Sequence, residues 1–385
     1  MNKKNLYIVF DQLPSKKTGG LVTTYVSLFN LLKDQYNIKI ISVFEYENNE
    51  LFDEKDIICV NRHIVSSDCV NILTYIKKFN LKKTIISLNQ LFLYFLCIPF
   101  NKKKIAKIID NKDLVIVSSP SAAIFMPKNL DFILEIHTYF KYFFDNNLKG
   151  KLQSLLMQKP KLMLFRTKND MREVRRLGFE NIGYVYNFFD NVNTKLNKNT
   201  IKNKICFVGR LEEAKNLPRM MDIAIELKKY DNDYILDIYG EGSYKELISK
   251  LIYEYELQDN VFLKGFTDDK NIYGNYSLMW MTSNKEGLSL SVIEAKACGI
   301  PTISTNWGEG VYEVIEDGID GFVAKDNSDF VDKTMILLSN NDKLKIFRKN
   351  CLKNFEKFSK ENARNTWIYI LNNYKNKNLD SFFDK

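Results

Sequence analysis

Histidine is almost missing from this chain: there are two, His63 and His137, and the six cysteines (59, 69, 97, 206, 298 and 351) form no CxxC pair. Metal-ligand spacing is therefore absent. Scattered, mostly apolar-flanked thiols fit a reduced, cytoplasmic compartment better than a disulfide framework. Seven prolines and sixteen glycines in 385 residues leave no room for a collagen-like or disordered chain. Long apolar runs are missing too. The stretch LFLYFLCIPF at 91–100 falls well below the roughly 20 residues needed to span a bilayer. The opening MNKKNLYIVFDQ has too short an apolar run for a signal-peptide core and predicts a first strand. No recognised nucleic-acid module is visible, so nucleic acid is not expected as a partner.

What is present is a globular composition, 45% hydrophobic and 13% aromatic, in a chain long enough for two domains with real interiors. The formal net charge of +9 favours acidic partners such as nucleotide substrates, polyanionic polymers or the anionic cytoplasmic leaflet.

Short β-branched or aromatic runs alternate with longer helical patterns, the signature of parallel sheets built from βαβ units. In the first half the pattern predicts strands near 5–10, 37–44, 57–60, 84–88, 114–118, 131–136, 162–166 and 182–186. Residues 187–203 lose periodicity and read as a linker. A second series follows at 204–209, 234–240, 261–265, 277–283, 301–305 and 321–324, with two closing helices near 342–356 and 359–374. The expected organisation is an N-terminal Rossmann-like domain over 1–186, the linker, a C-terminal Rossmann-like domain over 204–358, and a terminal helical segment over 359–385 packing back on the first domain. Two doubly wound sheets facing across a cleft would bind ligands at the carboxyl ends of their strands. The loops just after strands are thus where chemistry is to be sought.

After the first strand, Gly19 and Gly20 open an amphipathic helix, and paired glycines let backbone approach an anion at a helix N-terminus. After strand 204–209, GRLEEAKNL places Arg210 and Lys215 at a helix entry, where Arg can fork onto phosphate oxygens and Lys adds a point charge. The segment YGEG after the next strand brings Gly240. It lacks the third glycine and the later acid of a dinucleotide fingerprint, which disfavours NAD.

The densest signal is NKEGLSLSVIEAKACGIPTIST at 284–305. Glu286 and Gly287 fall in a post-strand loop, Ser289 or Ser291 can cap the following helix, and N–H groups near Leu288, Ser289 and Leu290 can receive a diphosphate. Glu294, about a turn inside, can accept both hydroxyls of a vicinal diol such as a ribose. Glu286 would then face the group beyond the diphosphate. His137, ending the strand LEIH, is a further candidate at a strand terminus.

These residues, in this order, resemble the retaining GT-B glycosyltransferases of family 4, with their glycosyl transferases group 1 C-terminal domain. The resemblance covers the Gly19–Gly20 loop, the His137 strand end, FVGRLEEAKN, YGEG, the E-x7-E segment with its Gly-Ile-Pro tail, and EVIEDGIDGFV. It implies that Arg210 and Lys215 hold the donor diphosphate, Glu294 the ribose and Glu286 the transferred sugar. It also implies that His137 contacts that sugar and that Gly19 and Gly20 approach the phosphate. One departure concerns the segment after PTIST, where Trp307 replaces a small residue and only Gly308, Gly310 and Glu313 keep the pattern.

The expected activity is transfer of a sugar from a nucleotide-sugar, with UDP as the expected nucleotide and no cofactor. The acceptor is a lipid-linked or polymeric glycan of a cell-surface polysaccharide or teichoic-acid pathway, met at the inner membrane face. Leaving-group charge is stabilised by Arg210, Lys215 and a helix N-terminus without metal, and Asp268 and Asp269 read as a helix cap. A non-catalytic GT-B subunit supporting a partner transferase, and a sugar-nucleotide 2-epimerase, are the alternatives. On the acceptor side, Lys102, Lys103 and Lys104 with Lys141 and Lys149, interleaved with aromatics, form a candidate membrane patch.

Overall fold

The computed structural model describes residues 3–14, 20–46, 51–62, 81–137, 157–189, 203–376 and 379–384. The chain divides into two compact units. The first comprises Met1–Phe165, Val174–Tyr184 and Trp367–Lys385, and the second Arg166–Glu173 with Val185–Thr366.

The first unit is built on seven parallel strands: β1 (Lys4–Gln12), β2 (Tyr36–Phe44), β3 (Ile57–Asn61), β4 (Leu114–Val117), β5 (Ile133–Glu135), β6 (Leu162–Phe165) and β7 (Ile182–Tyr184). Their order is β3-β2-β1-β4-β5-β6-β7. The run Leu6–Phe10 is buried on both faces, as expected of a strand covered by helices above and below. Its helices include α1 (Gly20–Leu32), α2 (Leu81–Ile108) and α3 (Pro120–Ala123). The strand expected at 84–88 is instead the first part of α2. The short run TIISL is compatible with either state, and the helical register that continues unbroken to Ile108 decides it.

Helix α4 (Lys168–Arg176) starts in the second unit and ends in the first. The second unit carries β8 (Lys204–Val208), β9 (Ile235–Tyr239), β10 (Val261–Gly265), β11 (Leu278–Met281), β12 (Thr302–Thr305) and β13 (Gly321–Ala324), all parallel, in the order β10-β9-β8-β11-β12-β13. Helices α5 (Leu217–Lys228), α6 (Lys245–Glu254), α7 (Leu290–Ala297), α8 (Val311–Val314), α9 (Asn327–Leu338) and α10 (Asn341–Asn354) connect and cover the strands. Leu278–Met281 is fully buried, and the Trp280 indole N–H donates to Thr334 Oγ1 at 3.1 Å, so the largest core residue is satisfied. Asp326 and Asn340 cap α9 and α10 with bonds to the Asp329 and Lys343 N–H groups.

The chain closes with α11 (Lys360–Asn373) and α12 (Asp380–Phe383). From Trp367 onward it belongs to the first unit. There the Tyr374 hydroxyl accepts from the Val115 N–H at 3.3 Å, and the Phe383 ring lies where a Cβ on Gly183 would be, 2.1 Å away. Two doubly wound parallel sheets with covering helices are the α/β two-domain architecture of the GT-B fold.

Candidate active site

In the second unit the strand order reverses between β8 and β11, and the loops leaving those two strands define its switch point. The β8 loop carries Gly209–Lys215 and the β11 loop Thr282–Ser289. They are knitted together: Asn284 N–H donates to Ala214 O at 3.0 Å, Thr282 Oγ1 to Lys215 O at 3.0 Å, and Asn216 Nδ2 to Asn284 Oδ1 at 2.9 Å. Asn216 itself holds φ 47°, a left-handed conformation that asparagine tolerates better than most residues.

Lys215 and Glu286 meet across these loops. Their Nζ and Oε1 atoms lie 2.5 Å apart, Ser283 Oγ donates to the same oxygen at 2.7 Å, and the two side chains are 16% and 15% exposed. Partial burial strengthens such a pair relative to a surface one. Arg210 takes a different course: it is 58% exposed and pairs with Glu212 at 3.0 Å. Gly240 sits with φ 146°, and an added Cβ would fall 1.8 Å from Gly209 O. A glycine is needed there for the close approach of two backbones beneath the Arg210 loop.

Helix α7 begins at Leu290, and the side chain of Ser289 at its N-cap accepts from no helix N–H; its hydroxyl meets that of Ser291 at 3.2 Å. The first N–H groups of α7 therefore lack the expected serine cap from Ser289. Glu294, buried within α7, accepts from the Tyr273 hydroxyl at 2.9 Å. Burial, and then the Glu294 charge, push the Tyr273 hydroxyl well above its ordinary pKa. Burial and the same carboxylate raise the Cys298 thiol to about 11. Two residues beyond Glu294, Lys296 forms an ion pair with Asp320, both almost wholly buried. Asp320 also accepts from Glu316 N–H at 3.0 Å and Asn354 Nδ2 at 2.8 Å. The helix bearing Glu294 is thus gripped on one side by Tyr273 and on another by Asp320.

Leu288 O accepts from Asn187 Nδ2 at 3.2 Å, and a Cβ on Gly310 would lie 3.1 Å from Gly287 O. The loop 286–290 is therefore shaped from both sides. Trp307 is buried close by, its Nε1 3.8 Å from that same Gly310 position. Glu313, on α8, accepts from the Lys168 and Asn169 N–H groups at 2.8 and 2.7 Å and caps the start of α4. Near it Asp170 is pushed up to about 6, mainly by burial, with the Glu313 charge adding to the rise. Asp269 accepts from Asn271 N–H at 2.9 Å, capping a short 3-10 turn.

In the first unit, His137 lies just beyond β5 and shares a 2.8 Å hydrogen bond with the Tyr25 hydroxyl of α1, with Glu135 Oε2 3.8 Å from its Nε2. Gly20 is the first residue of α1, while Gly19 lies outside the described residues. The expected lysine patch is altered. Lys104 donates to Val60 O at 2.9 Å, Lys102 is partly covered, with burial lowering its pKa, and only Lys103 is both exposed and uncommitted to such a bond; Lys141 and Lys149 lie outside the described residues. A lysine followed by a helical turn back toward β3 finds a backbone carbonyl, which spacing alone does not reveal.

Sequence reasoning passed over Tyr273, Ser283, Asn187, Lys296 and Asp320. Ser283 stands three residues before Glu286, a spacing compatible with contact. Tyr273 and Asp320 reach α7 from segments more than twenty residues away and leave no local pattern.

Residues 188–354 match the family described as glycosyl transferases group 1. A poly(ribitol-phosphate) alpha-N-acetylglucosaminyltransferase of Staphylococcus aureus is 31% identical over 197 residues, 50% of this chain and 40% of that protein, so the chain spans well under two thirds of its length. A Campylobacter jejuni N-acetylgalactosamine-N,N'-diacetylbacillosaminyl-diphospho-undecaprenol 4-alpha-N-acetylgalactosaminyltransferase is 29% identical over 303 residues, 72% of this chain and 82% of that one. Among solved structures, a variant of S. aureus TarM in complex with fondaparinux, alpha-GlcNAc-glycerol and UDP superimposes with a TM-score of 0.75 at 18% identity, covering 96% of this chain and 100% of that chain.

Proposed function

We propose that this protein is a retaining, metal-independent glycosyltransferase that moves a sugar from a UDP-sugar to a lipid-linked or polymeric acceptor of a cell-surface polysaccharide or teichoic-acid pathway, at the inner face of the cell membrane. The observation that carries the reading is the Lys215–Glu286–Ser283 cluster at the switch point, directly before the start of α7. Its cation and the α7 N–H groups suit a departing diphosphate, whose developing charge is the main barrier to leaving an anomeric carbon. Arg210, exposed on the same β8 loop, can exchange Glu212 for phosphate oxygens. Glu294 keeps one carboxylate oxygen on Tyr273 and serves the ribose; Glu286 orients the sugar. His137 keeps the sugar contact, and Gly19 and Gly20 the phosphate contact, that the family resemblance implies for them. Similarity to enzymes whose names specify alpha-linked products on a poly(ribitol-phosphate) and on an undecaprenol diphosphate supports the retaining outcome and both acceptor classes.

The test is a panel of radiolabelled UDP- and GDP-sugars assayed for slow hydrolysis without acceptor, in the presence and absence of excess chelator. One UDP-sugar should be cleaved at a rate the chelator leaves unchanged. Cleavage of GDP-sugars alone would refute the donor, and activity restored only by a divalent ion would refute metal independence.

A further inference from the structure

Helix α2 has two apolar faces. One packs inward: the Tyr94 ring lies 5.7 Å from Phe44 and 5.2 Å from Phe125, and Asn101 and Ile105 are buried. The other faces solvent. Leu81, Ile85, Ile86, Phe92, Leu93, Leu96 and Phe100 are each between 49% and 76% exposed. At 100° per residue they fall within an arc of about 140°, in a stripe about 28 Å long. Single exposed leucines are ordinary on protein surfaces, but an ordered stripe of this length is not.

Charge tells what covers it. The segment 81–108 contains six lysines and no aspartate or glutamate. Lys82 at one end of the stripe, and Lys103 and Lys107 at the other, project from the same arc. A second copy of this helix laid against the first would set cation against cation in either orientation, with no acid on the helix to relieve them. An anionic bilayer surface accepts both features: apolar side chains enter the boundary between headgroups and acyl chains while lysines meet phosphate. Among the described residues no helix is long and apolar enough to cross a membrane, so α2 would lie in the plane.

We propose that the exposed face of α2 docks flat on a bilayer containing anionic lipid. This replaces the five-lysine patch with an apolar stripe bounded by Lys82, Lys103 and Lys107. It deepens the proposed membrane-face location of the enzyme, and because binding is read without turnover, its failure and that of the donor reading are separable.

The experiment is sedimentation of the full chain with vesicles of phosphatidylcholine alone or mixed with phosphatidylglycerol, beside calorimetric binding of UDP. The wild type should bind the mixed vesicles at low salt and release at high salt. The triple variant Phe92→Gln/Leu96→Gln/Phe100→Gln should bind them at least roughly tenfold more weakly. Lys82→Gln/Lys103→Gln/Lys107→Gln should lose the preference for anionic lipid, and both variants should keep wild-type UDP affinity. As an independent reading on a minimally changed stripe, the emission of a Phe92→Trp variant should shift to the blue on mixed vesicles. Absence of wild-type sedimentation, equal binding by the apolar triple variant, or no shift with Phe92→Trp would each overturn the proposal. So would self-association that the triple variant abolishes and vesicles do not displace, which would assign the stripe to a second copy.

Discussion

Lys296→Met should be among the most destabilising single changes in the second unit. Lys296 and Asp320 are 4% and 0% exposed, so the substitution strands a carboxylate out of water. Removing one partner of a buried pair costs about 3–5 kcal/mol, because the remaining charge keeps its desolvation penalty. The Glu316 N–H and the Asn354 amide still bond Asp320, which places the expected loss toward the lower end of that range. For a unit of this size each kcal/mol moves the midpoint by about 2–4 °C, so scanning calorimetry should record a fall of about 6–12 °C in one transition. Adding Asp320→Asn to Lys296→Met should recover part of the fall, since the asparagine amide oxygen can keep the Glu316 N–H bond while the stranded charge is removed. Additive losses in the double variant would refute the reasoning, as would a Lys296→Met midpoint within about 2 °C of wild type.

Arg210→Ala and Lys215→Ala should each remove roughly 2–4 kcal/mol of transition-state stabilisation, a fall of about thirty- to a thousandfold in turnover at saturating UDP-sugar with the fold intact; near wild-type turnover in either would contradict its role. Tyr273→Phe should weaken UDP binding about tenfold by freeing the Glu294 carboxylate from its 2.9 Å bond, and an unchanged calorimetric affinity would count against Glu294 as the ribose ligand. Asp170 is held near pH 6 against an ordinary 3.8, so the folded state binds its proton more tightly than the unfolded one. Stability should accordingly decline between about pH 4 and 6 as this group ionises, and Asp170→Asn should flatten that decline in urea titrations while leaving stability below pH 4 nearly unaltered.

The strands of the second unit were legible because each buried run, such as SLMWMTS around β11, is bounded by turn residues and followed by a periodic helix. The strand misread at 84–88 had β-branched content without such bounds on its far side. At the site, Glu286 and Glu294 announced themselves by flanking a glycine and a helix start. Their partners did not, since Lys215 is 71 residues from Glu286 and meets it only because β8 and β11 are neighbours in the sheet. Tyr273 is one of 21 tyrosines, and nothing beside it in the chain marks the one that reaches Glu294. Arg210 shows the converse: its position was evident, while its pairing with Glu212 depends on a rotamer that no spacing encodes.

The bonds from the Lys168 and Asn169 N–H groups to Glu313 bear on how the two halves can be separated at the bench. Arg166–Glu173 precedes the break at 187–203 in the gene yet belongs to the second unit. A C-terminal half expressed from residue 187 would leave the Glu313 carboxylate without those two donors and uncover the surface that Arg166–Glu173 protects. One begun at 166 keeps them but carries the end of α4 and strand β7, whose sheet neighbour β6 is left behind. Halves meant for separate crystallisation, or for recombination with halves of similar proteins, would thus be joined better by supplying 166–173 to the second unit through a circular permutation than by cutting within 187–203.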